Sequence, residues 1–279
     1  MQKLFTRDIC MQQHHDPVWE TIKQETRDQA HNEPALASFL HATILNHDSF
    51  EDALSYHLAQ KLGSAAISAL QVREIIDQAL RNDRGIGEAA RADIEAVFER
   101  DSACNEYCLP FLYFKGFQAL QCYRVAHWLW KQGRFALAYF FQSHIALTFG
   151  VDIHPAARIG KGIMLDHATG IVIGETSVVG DDVSIMQSVT LGGTGKETGD
   201  RHPKVRKGVL ISAGAKILGN IEIGEGAKIG AGSVVLKPVP PHTTVVGVPA
   251  VEVGKPRTAS PALDMNHEIN CDRDCPDAG

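Results

Sequence analysis

Aromatic residues are scarce. Trp, Tyr and Phe make up 7% of the 279 residues, and beyond Val151 they all but vanish. Basic charge is also short, with Lys+Arg 27 against Asp+Glu 33 and a net charge of −6. That balance argues against a general polyanion binder, so no nucleic-acid partner is expected, while one local basic pocket stays open. The cysteines at 10, 104, 108, 122, 271 and 275 form no disulfide framework for a chain of this size, which makes a reducing cytoplasm the default. Long apolar runs are missing too. The stretch from Phe135 to Val151 is interrupted by Gln142, Ser143 and His144. It sits at the lower limit of a bilayer span, so a buried helix is expected and no membrane partner. Residues 1–8 have no apolar core of a signal peptide. At 44% hydrophobic the chain is too apolar for disorder, and its length fits roughly one to two domains.

What is present divides into two halves. Up to about residue 145 apolar residues recur at helical spacing. They fall at Ala53, Leu54, Tyr56, Leu58 and Leu62, then at Val72, Ile75, Ile76, Ala79 and Leu80, and again from Leu120 to Trp130. Asn82, Asp83 and Gly85 punctuate between helices, and Pro34 marks a helix start.

From Val151 the period becomes six. Aliphatic residues stand at Ile153, Ile159 and Leu165. After a two-residue phase shift they stand at Ile173, Val179, Ile185 and Leu191, and after an interruption at Ile211, Ile217, Ile223, Ile229 and Val235. Glycine often follows, and a small or β-branched residue comes four positions later. This fits neither a helix nor a free amphipathic strand, and a sandwich of short strands does not produce such phasing. It fits a parallel β-helix of about 18 residues per three-sided coil. The expected fold is therefore α+β: an α-helical assembly domain over 1–148, a left-handed β-helix over 149–257 with an extruded loop, and a flexible tail over 258–279. The interruption, Gly192-Gly193-Thr194-Gly195-Lys196-Glu197-Thr198-Gly199-Asp200-Arg201-His202-Pro203, is that loop. It lacks the full phosphate-loop pattern and no long helix follows.

Two polar clusters lie in the repeat region, Asp152-Ile153-His154-Pro155 and Asp166-His167-Ala168-Thr169-Gly170. Asp152 and His167 are 15 residues apart, which puts them on adjacent coils near one corner. A carboxylate that fixes an imidazole tautomer makes the other ring nitrogen a general base. Two other readings stay open on the residues alone. These are surface-loop polar groups, or zinc ligands drawn from His154, His167, His202, Asp152 and Asp166, although no close His-x-His or Cys pair occurs among them. His267, Cys271 and Cys275 read as a mobile tail with free thiols, and Cys104 and Cys108 as buried.

With Pro110-Phe111-Leu112-Tyr113-Phe114-Lys115-Gly116-Phe117, Met164-Leu165-Asp166-His167-Ala168-Thr169-Gly170, Thr190-Leu191-Gly192-Gly193-Thr194-Gly195, Gly199-Asp200-Arg201-His202-Pro203 and Gly247-Val248-Pro249-Ala250, nearly the whole chain resembles the bacterial serine O-acetyltransferases. Hexapeptide repeats alone indicate only a broad group of acyl- and nucleotidyl-transferases. The helical half makes the resemblance specific.

The resemblance implies transfer of acetyl from acetyl-CoA, as cosubstrate and without a metal, to the L-serine hydroxyl in cysteine biosynthesis. It makes His167 the base and Asp152 its partner. Asp166, Arg201 and His202 match the serine pocket, and Asp101 matches a carboxylate reaching it from a subunit neighbour. Arg201 suits the substrate carboxylate, and Asp101 or Asp166 the ammonium. Backbone N–H groups around Gly193 are suited to the oxyanion. CoA would lie between neighbouring solenoids, touching Ala213 and Ala231, with Lys216, Lys237 and Lys255 as candidates for its phosphates. Val251 stands where the family commonly has arginine. Direct transfer needs no acyl-enzyme on Cys108 or Cys122. The family further implies inhibition by L-cysteine and a homo-oligomer, a trimer pairing into a hexamer. Relatives that dock into cysteine synthase end in isoleucine, whereas this chain ends Asp277-Ala278-Gly279, so docking by that route is not expected.

Overall fold

A computed structural model describes residues 16–195 and 198–269. Residues 1–8, Cys10, Lys196, Glu197, Cys271, Cys275 and the end of the tail therefore lie outside the described residues. The N-terminal part is helical. It comprises α1 (Pro17–Asn32), α2 (Ala37–Leu40), α3 (Phe50–Leu62), α4 (Ala69–Asn82), α5 (Arg84–Arg100), α6 (Cys108–Tyr113), α7 (Lys115–Lys131) and α8 (Phe135–Phe149). A 3-10 turn, Pro34–Leu36, precedes α2, and a π turn, His41–Leu45, follows it. The starts are read easily from the chain: Asp16, Ser68 and Asp83 cap α1, α4 and α5 with side-chain oxygens, satisfying otherwise orphaned N–H groups. The Phe135 stretch is α8, and among the described residues no helix is long and apolar enough to cross a membrane.

Gly150, in the left-handed conformation, ends α8, and the solenoid begins one residue later. Its first coil is β1 (Val151–Ile153), β2 (Arg158–Ile159) and β3 (Met164–Leu165). The second is β4 (Ile171–Ile173), β5 (Val178–Val179) and β6 (Ser184–Ile185). The third is β7 (Thr190–Gly192), β8 (Lys204–Val205) and β9 (Leu210–Ile211), and the fourth β10 (Lys216–Leu218), β11 (Glu222–Ile223) and β12 (Lys228–Ile229). β13 (Val234–Val235) and β14 (Thr244–Gly247) begin the fifth, and β15 (Ala250–Gly254) turns back antiparallel on β14. Strands stack in parallel into three sheets, β1-β4-β7-β10-β13, β2-β5-β8-β11 and β3-β6-β9-β12-β14. The predicted period holds in the register, since Val172 pairs with Thr190 and Lys216 with Val234. The ladder Ile153, Ile173, Leu191, Ile217 and Val235 is buried, each residue contributing about 1.5–3 kcal/mol of apolar burial. Short strands present alternate residues inward, so one aliphatic residue per strand fills a core too narrow for rings.

Three corners join the sheets. Corner one leaves the β1 sheet (residues 154–157, 174–177 and, of the extruded loop, 193–195 and 198–203). Corner two leads into the β3 sheet (160–163, 180–183, 206–209), and corner three returns to the β1 sheet (166–170, 186–189, 212–215, 230–233).

The helices and the first coil share one hydrophobic core. The seam is also polar. Asp93, fully buried, accepts from Arg124 at 2.6 Å, from Gln121 at 2.9 Å and from the Ile163 N–H at 2.8 Å. Arg124 also donates to the Gly160 carbonyl at 2.8 Å, and the Tyr123 hydroxyl to the Ala157 carbonyl. Such a network is stable because every charge in it has a partner.

The structure corrects the flexible tail as far as Ile269. A short helix, α9 (Pro261–Asp264), buries Ala262 completely. The Ala262 carbonyl accepts from Ser184 Oγ at 2.9 Å, and Lys228 donates to the Glu268 carbonyl. The sequence shows only a polar, proline-containing segment. What orders it is the groove beside β6 and β9.

Candidate active site

The site residues fall into two groups on one protomer. The first surrounds corner three. Between Leu165 and Ile173 the aliphatic period gains two residues, and here His167 and Ala168 both take positive φ, 52° and 59°, a conformation unusual for side chains with a Cβ. The insertion throws the His167 ring outward, to 72% exposure. Gly116 of α7 backs onto the Leu165 carbonyl so closely that a Cβ there would fall far inside 3.0 Å. A cleft of about 380 Å³ opens between α5, α7 and β3, lined among others by Asp101, Phe114, Met164, Asp166 and His167. Asp166 Oδ1 stands 3.8 Å from His167 Nε2. Burial pushes the Asp166 carboxyl up. His167 opposes that shift and the like charge of Asp101 adds to it. Two carboxylates in one cleft are relieved by a bound cation, so the pair is suited to an ammonium group. His267, brought in by the docked tail, accepts or donates at 3.0 Å with Ser212 Oγ and is close enough to act on Asp166.

The second group lies along the β1 sheet and corner one. Arg201 donates to Glu175 at 2.6 Å and to the Gly199 carbonyl at 3.1 Å. That hydrogen bond holds the Glu175 carboxyl below the usual range. Thr176 Oγ1 accepts from the backbone N–H groups of both Arg201 and His202, and the Thr176 N–H donates to His202 Nδ1 at 3.2 Å. His202 is therefore the Nε2–H tautomer. It packs so tightly on Gly174 that no Cβ fits there. Burial, then the Arg201 charge, lower its pKa, keeping it a neutral donor. His154 stands nearby, packed edge-on against Trp130 and Tyr139, its pKa lowered by burial against the opposing charges of Glu175 and Asp152.

The expected Asp152–His167 pairing is not made within the protomer. Asp152 faces outward from β1 and accepts from Gln142 of α8 at 2.7 Å. The carboxylate beside His167 is Asp166. Asp101, expected to reach the pocket from a subunit neighbour, instead lines the cleft with Asp166 and His167 of its own protomer, because α5 ends beside β3; Arg201 and His202 come together with Glu175 and Thr176 at corner one, and Asp152 lies on β1 against Gln142.

Ala213 and Ala231 stack at corner three, where the Gly232 N–H donates to the Ala213 carbonyl at 2.8 Å. Lys216 folds back onto the Ser188 carbonyl at the same corner. Lys237 is exposed after β13, and Lys255 lies against the β3 sheet side near Lys228 and Arg257, so the three lysines do not share one surface. Gly193 opens the extruded loop, beside Arg201. Cys108 and Cys122 are buried outside both groups and Cys104 is buried behind the first, against Met164, burial pushing Cys104 up to about 11 and the other two further up. A raised thiol is a poor nucleophile. No group of three or more His, Cys, Asp or Glu placed to hold a metal occurs among the described residues.

Sequence reasoning missed Glu175 and Thr176. Their signal is a polar pair directly after Gly174, one coil before the extruded loop, where most coils carry small residues.

Residues 18–122 match the family model described as serine acetyltransferase, N-terminal, and residues 202–237 that of the bacterial transferase hexapeptide (six repeats). The chain is 61% identical over 253 residues to serine acetyltransferase of Escherichia coli (strain K12), covering 91% of this chain and 93% of that one. Among solved structures, the crystal structure of serine acetyltransferase from Vibrio cholerae O1 biovar El Tor N16961 has a TM-score of 0.90 at 65% identity, covering 91% of this chain and 98% of the other. A serine acetyltransferase in complex with cysteine has 0.89 at 57%, covering 91% and 98%. The Brucella abortus strain S19 enzyme in complex with coenzyme A has 0.85 at 53%, covering 86% and 96%.

Proposed function

The chain belongs to the serine acetyltransferase family, and on that footing we infer that it transfers the acetyl group of acetyl-CoA to the hydroxyl of L-serine. The observation that carries the mechanism is the outward-thrown His167 beside a two-carboxylate cleft, with Arg201 and His202 held ready on a different surface of the same solenoid.

The two groups become one site when a second copy packs against the first. One copy supplies His167, Asp166 and Asp101, and the neighbouring copy's Asp152, Arg201 and His202 face them. The homo-oligomer, a trimer pairing into a hexamer, is thus part of the catalytic proposal. Asp101 and Asp166 take the serine ammonium, and Arg201 takes its carboxylate with the donors that Glu175 leaves free. His202, neutral with its proton on Nε2, adds a donor. His167 removes the proton from the serine hydroxyl, and the oxygen forms a bond to the thioester carbonyl carbon. The neighbouring copy's Asp152 stabilises the imidazolium. Loop N–H groups around Gly193 stabilise the oxyanion. The C–S bond then breaks, and the thiolate leaves with the proton returned by His167.

CoA runs along corner three past Ala213 and Ala231, and Lys216, at that corner, is the cation proposed for its phosphates, Lys237 and Lys255 lying on other surfaces of the protomer. L-cysteine competes in the serine cleft, since it shares the ammonium and carboxylate. Use of acetyl-CoA supports a cytoplasmic reaction.

The test is thiol release from acetyl-CoA across a panel of amino acids, with and without cysteine. Serine should be preferred, and His167→Ala should lower kcat by about 10²–10⁴-fold. Full activity of that variant would sink the mechanism.

A further inference from the structure

Two imidazole rings occupy equivalent places on successive coils at corner one. Ile153 and Ile173 pair in register, so His154 stands level with Gly174, and Ala156 with Thr176. The Ala156 N–H donates to His154 Nδ1 at 3.1 Å, and the Thr176 N–H donates to His202 Nδ1 at 3.2 Å. His202 thus lays its ring over Gly174, in space that a Cβ would fill. One coil earlier that place belongs to the ring of His154. The two rings differ in how they arrive. His154 hangs from the coil itself, whereas His202 comes in on the extruded loop, whose backbone has to be drawn in and held.

The Thr176 hydroxyl holds it. Its oxygen accepts from the Arg201 N–H at 3.0 Å and from the His202 N–H at 3.1 Å, and lies 2.9 Å from His202 Nδ1. Nδ1 already accepts from a backbone N–H, so it carries no proton, and towards it the hydroxyl is the donor. A hydroxyl has one proton and two lone pairs, and here all three are used. The Thr176 carbonyl is engaged as well. Lys204 Nζ donates to it at 3.0 Å, to the His202 carbonyl at 2.6 Å and to the Asp200 carboxylate at 2.6 Å. Alanine suffices at 156, where the ring belongs to the coil. Nε2 of His202 has no hydrogen-bond partner among the described residues, and it is not one of the unpartnered atoms shut off from solvent. It is open to a ligand.

We propose that Thr176 is a positioning residue for the amino-acid substrate: its hydroxyl fixes the tautomer and the place in which His202 presents Nε2–H, and anchors the backbone from which Arg201 reaches out. The inference rests on the reading that Arg201 and His202 bind serine. A neutral imidazole has two tautomers, and the hydrogen bond at one nitrogen decides which nitrogen donates. Without the hydroxyl, two neighbouring loop N–H groups lose their acceptor and Nδ1 loses one of its two donors, so the end of the loop relaxes. The substrate then has to order a donor that the intact corner holds ready, and binding weakens by that cost.

The test measures KM for serine and for acetyl-CoA by thiol release, with assembly followed by sedimentation. Thr176→Val keeps the shape of the side chain and removes the hydroxyl. It should raise the serine KM roughly tenfold, the loss of one good hydrogen bond, with the acetyl-CoA KM and the assembly unchanged. Thr176→Ser, which keeps the hydroxyl, should recover most of that loss. Thr176→Ala, the residue that coil one carries at the same place, repeats the test if valine does not pack. In a His202→Ala background Thr176→Val should cost less than about threefold, because a residue acting through another loses its effect when that other is gone. A full tenfold loss in that background, or a rise of both KM values together, would mark a merely structural threonine and overturn the proposal. If His202→Ala raises the serine KM while Thr176→Val and Thr176→Ala do not, the serine pocket stands and the role of Thr176 is refuted. If His202→Ala and Arg201→Ala both leave the serine KM at the parent value, the pocket reading itself fails and the proposal falls with it.

Discussion

Replacing Gly116 by alanine should cripple turnover while leaving the protein folded. Gly116 is the second residue of α7, and its α-carbon faces the carbonyl of Leu165, the last residue of β3. A Cβ there would lie far inside the 3.0 Å that real Cβ contacts do not cross, and a second contact, with the Ala168 side chain, sits at 3.1 Å. The obstacle is backbone, which cannot swing away as a long side chain can. About 1 Å must open between α7 and β3 to relieve the clash. The segment that moves is the one leading directly into Asp166 and His167. Misplacing a catalytic group by about 1 Å costs roughly 10²-fold in rate, whereas overpacking of this kind costs about 1–3 kcal/mol of stability. Steady-state thiol release should therefore show kcat/KM down by about 10²-fold in a protein that still unfolds cooperatively in urea. Gly133→Ala is the control. Gly133 has positive φ, unlike Gly116, but nothing lies within 4 Å of its added Cβ, so alanine brings backbone strain of about 1 kcal/mol without a clash and should leave kcat/KM intact. Activity of Gly116→Ala within twofold of the parent, or a loss no greater than that of Gly133→Ala, would refute the positioning argument.

Acid should destabilise the helical part through His57. Its ring is buried against Phe111 and Gln118, and burial lowers its pKa from 6.5 to about 4. Above pH 6.5 it is neutral in both folded and unfolded states. Below that the unfolded chain takes the proton first, so stability falls between about pH 6.5 and pH 4 by about 3 kcal/mol in all. Urea midpoints for the parent and His57→Gln should diverge across that window, and parallel curves would show that the ring does not titrate this way. Asp93→Asn should cost about 3–5 kcal/mol, because it strands the buried Arg124 guanidinium. Arg206→Gln, which breaks an exposed pair with Glu222, should leave the melting temperature unchanged, and equal effects of the two would contradict the role given to the seam.

Much of this architecture is legible along the chain because each solenoid strand answers to its own six residues. An aliphatic position, a glycine and a small residue fix one strand and one corner with little help from distant chain. The departures from the period are as informative as the period. The two extra residues after Leu165 mark the corner that exposes His167, and the break after Leu191 marks the loop that carries Arg201 and His202. The helices read less completely. Their apolar spacing shows three of them clearly, but α8 is apolar on nearly every side, so its spacing does not reveal which face meets the solenoid. The tail reads as flexible for the opposite reason: its residues are polar, and the surface that holds it is built by α5, β6 and β9, far away in sequence.

The sequence by itself determined the two-part fold, the period of the coil and the identity of the reactive side chains, because these depend on local pattern and on residue chemistry. Tertiary structure alone decided which of those side chains meet. Asp152 and His167 look like partners when counted along the chain, yet β1 turns Asp152 toward Gln142, while the corner insertion carries His167 toward Asp166 and Asp101. Side-chain direction at a corner depends on backbone conformation and on the helix packed behind it, and a six-residue period encodes neither.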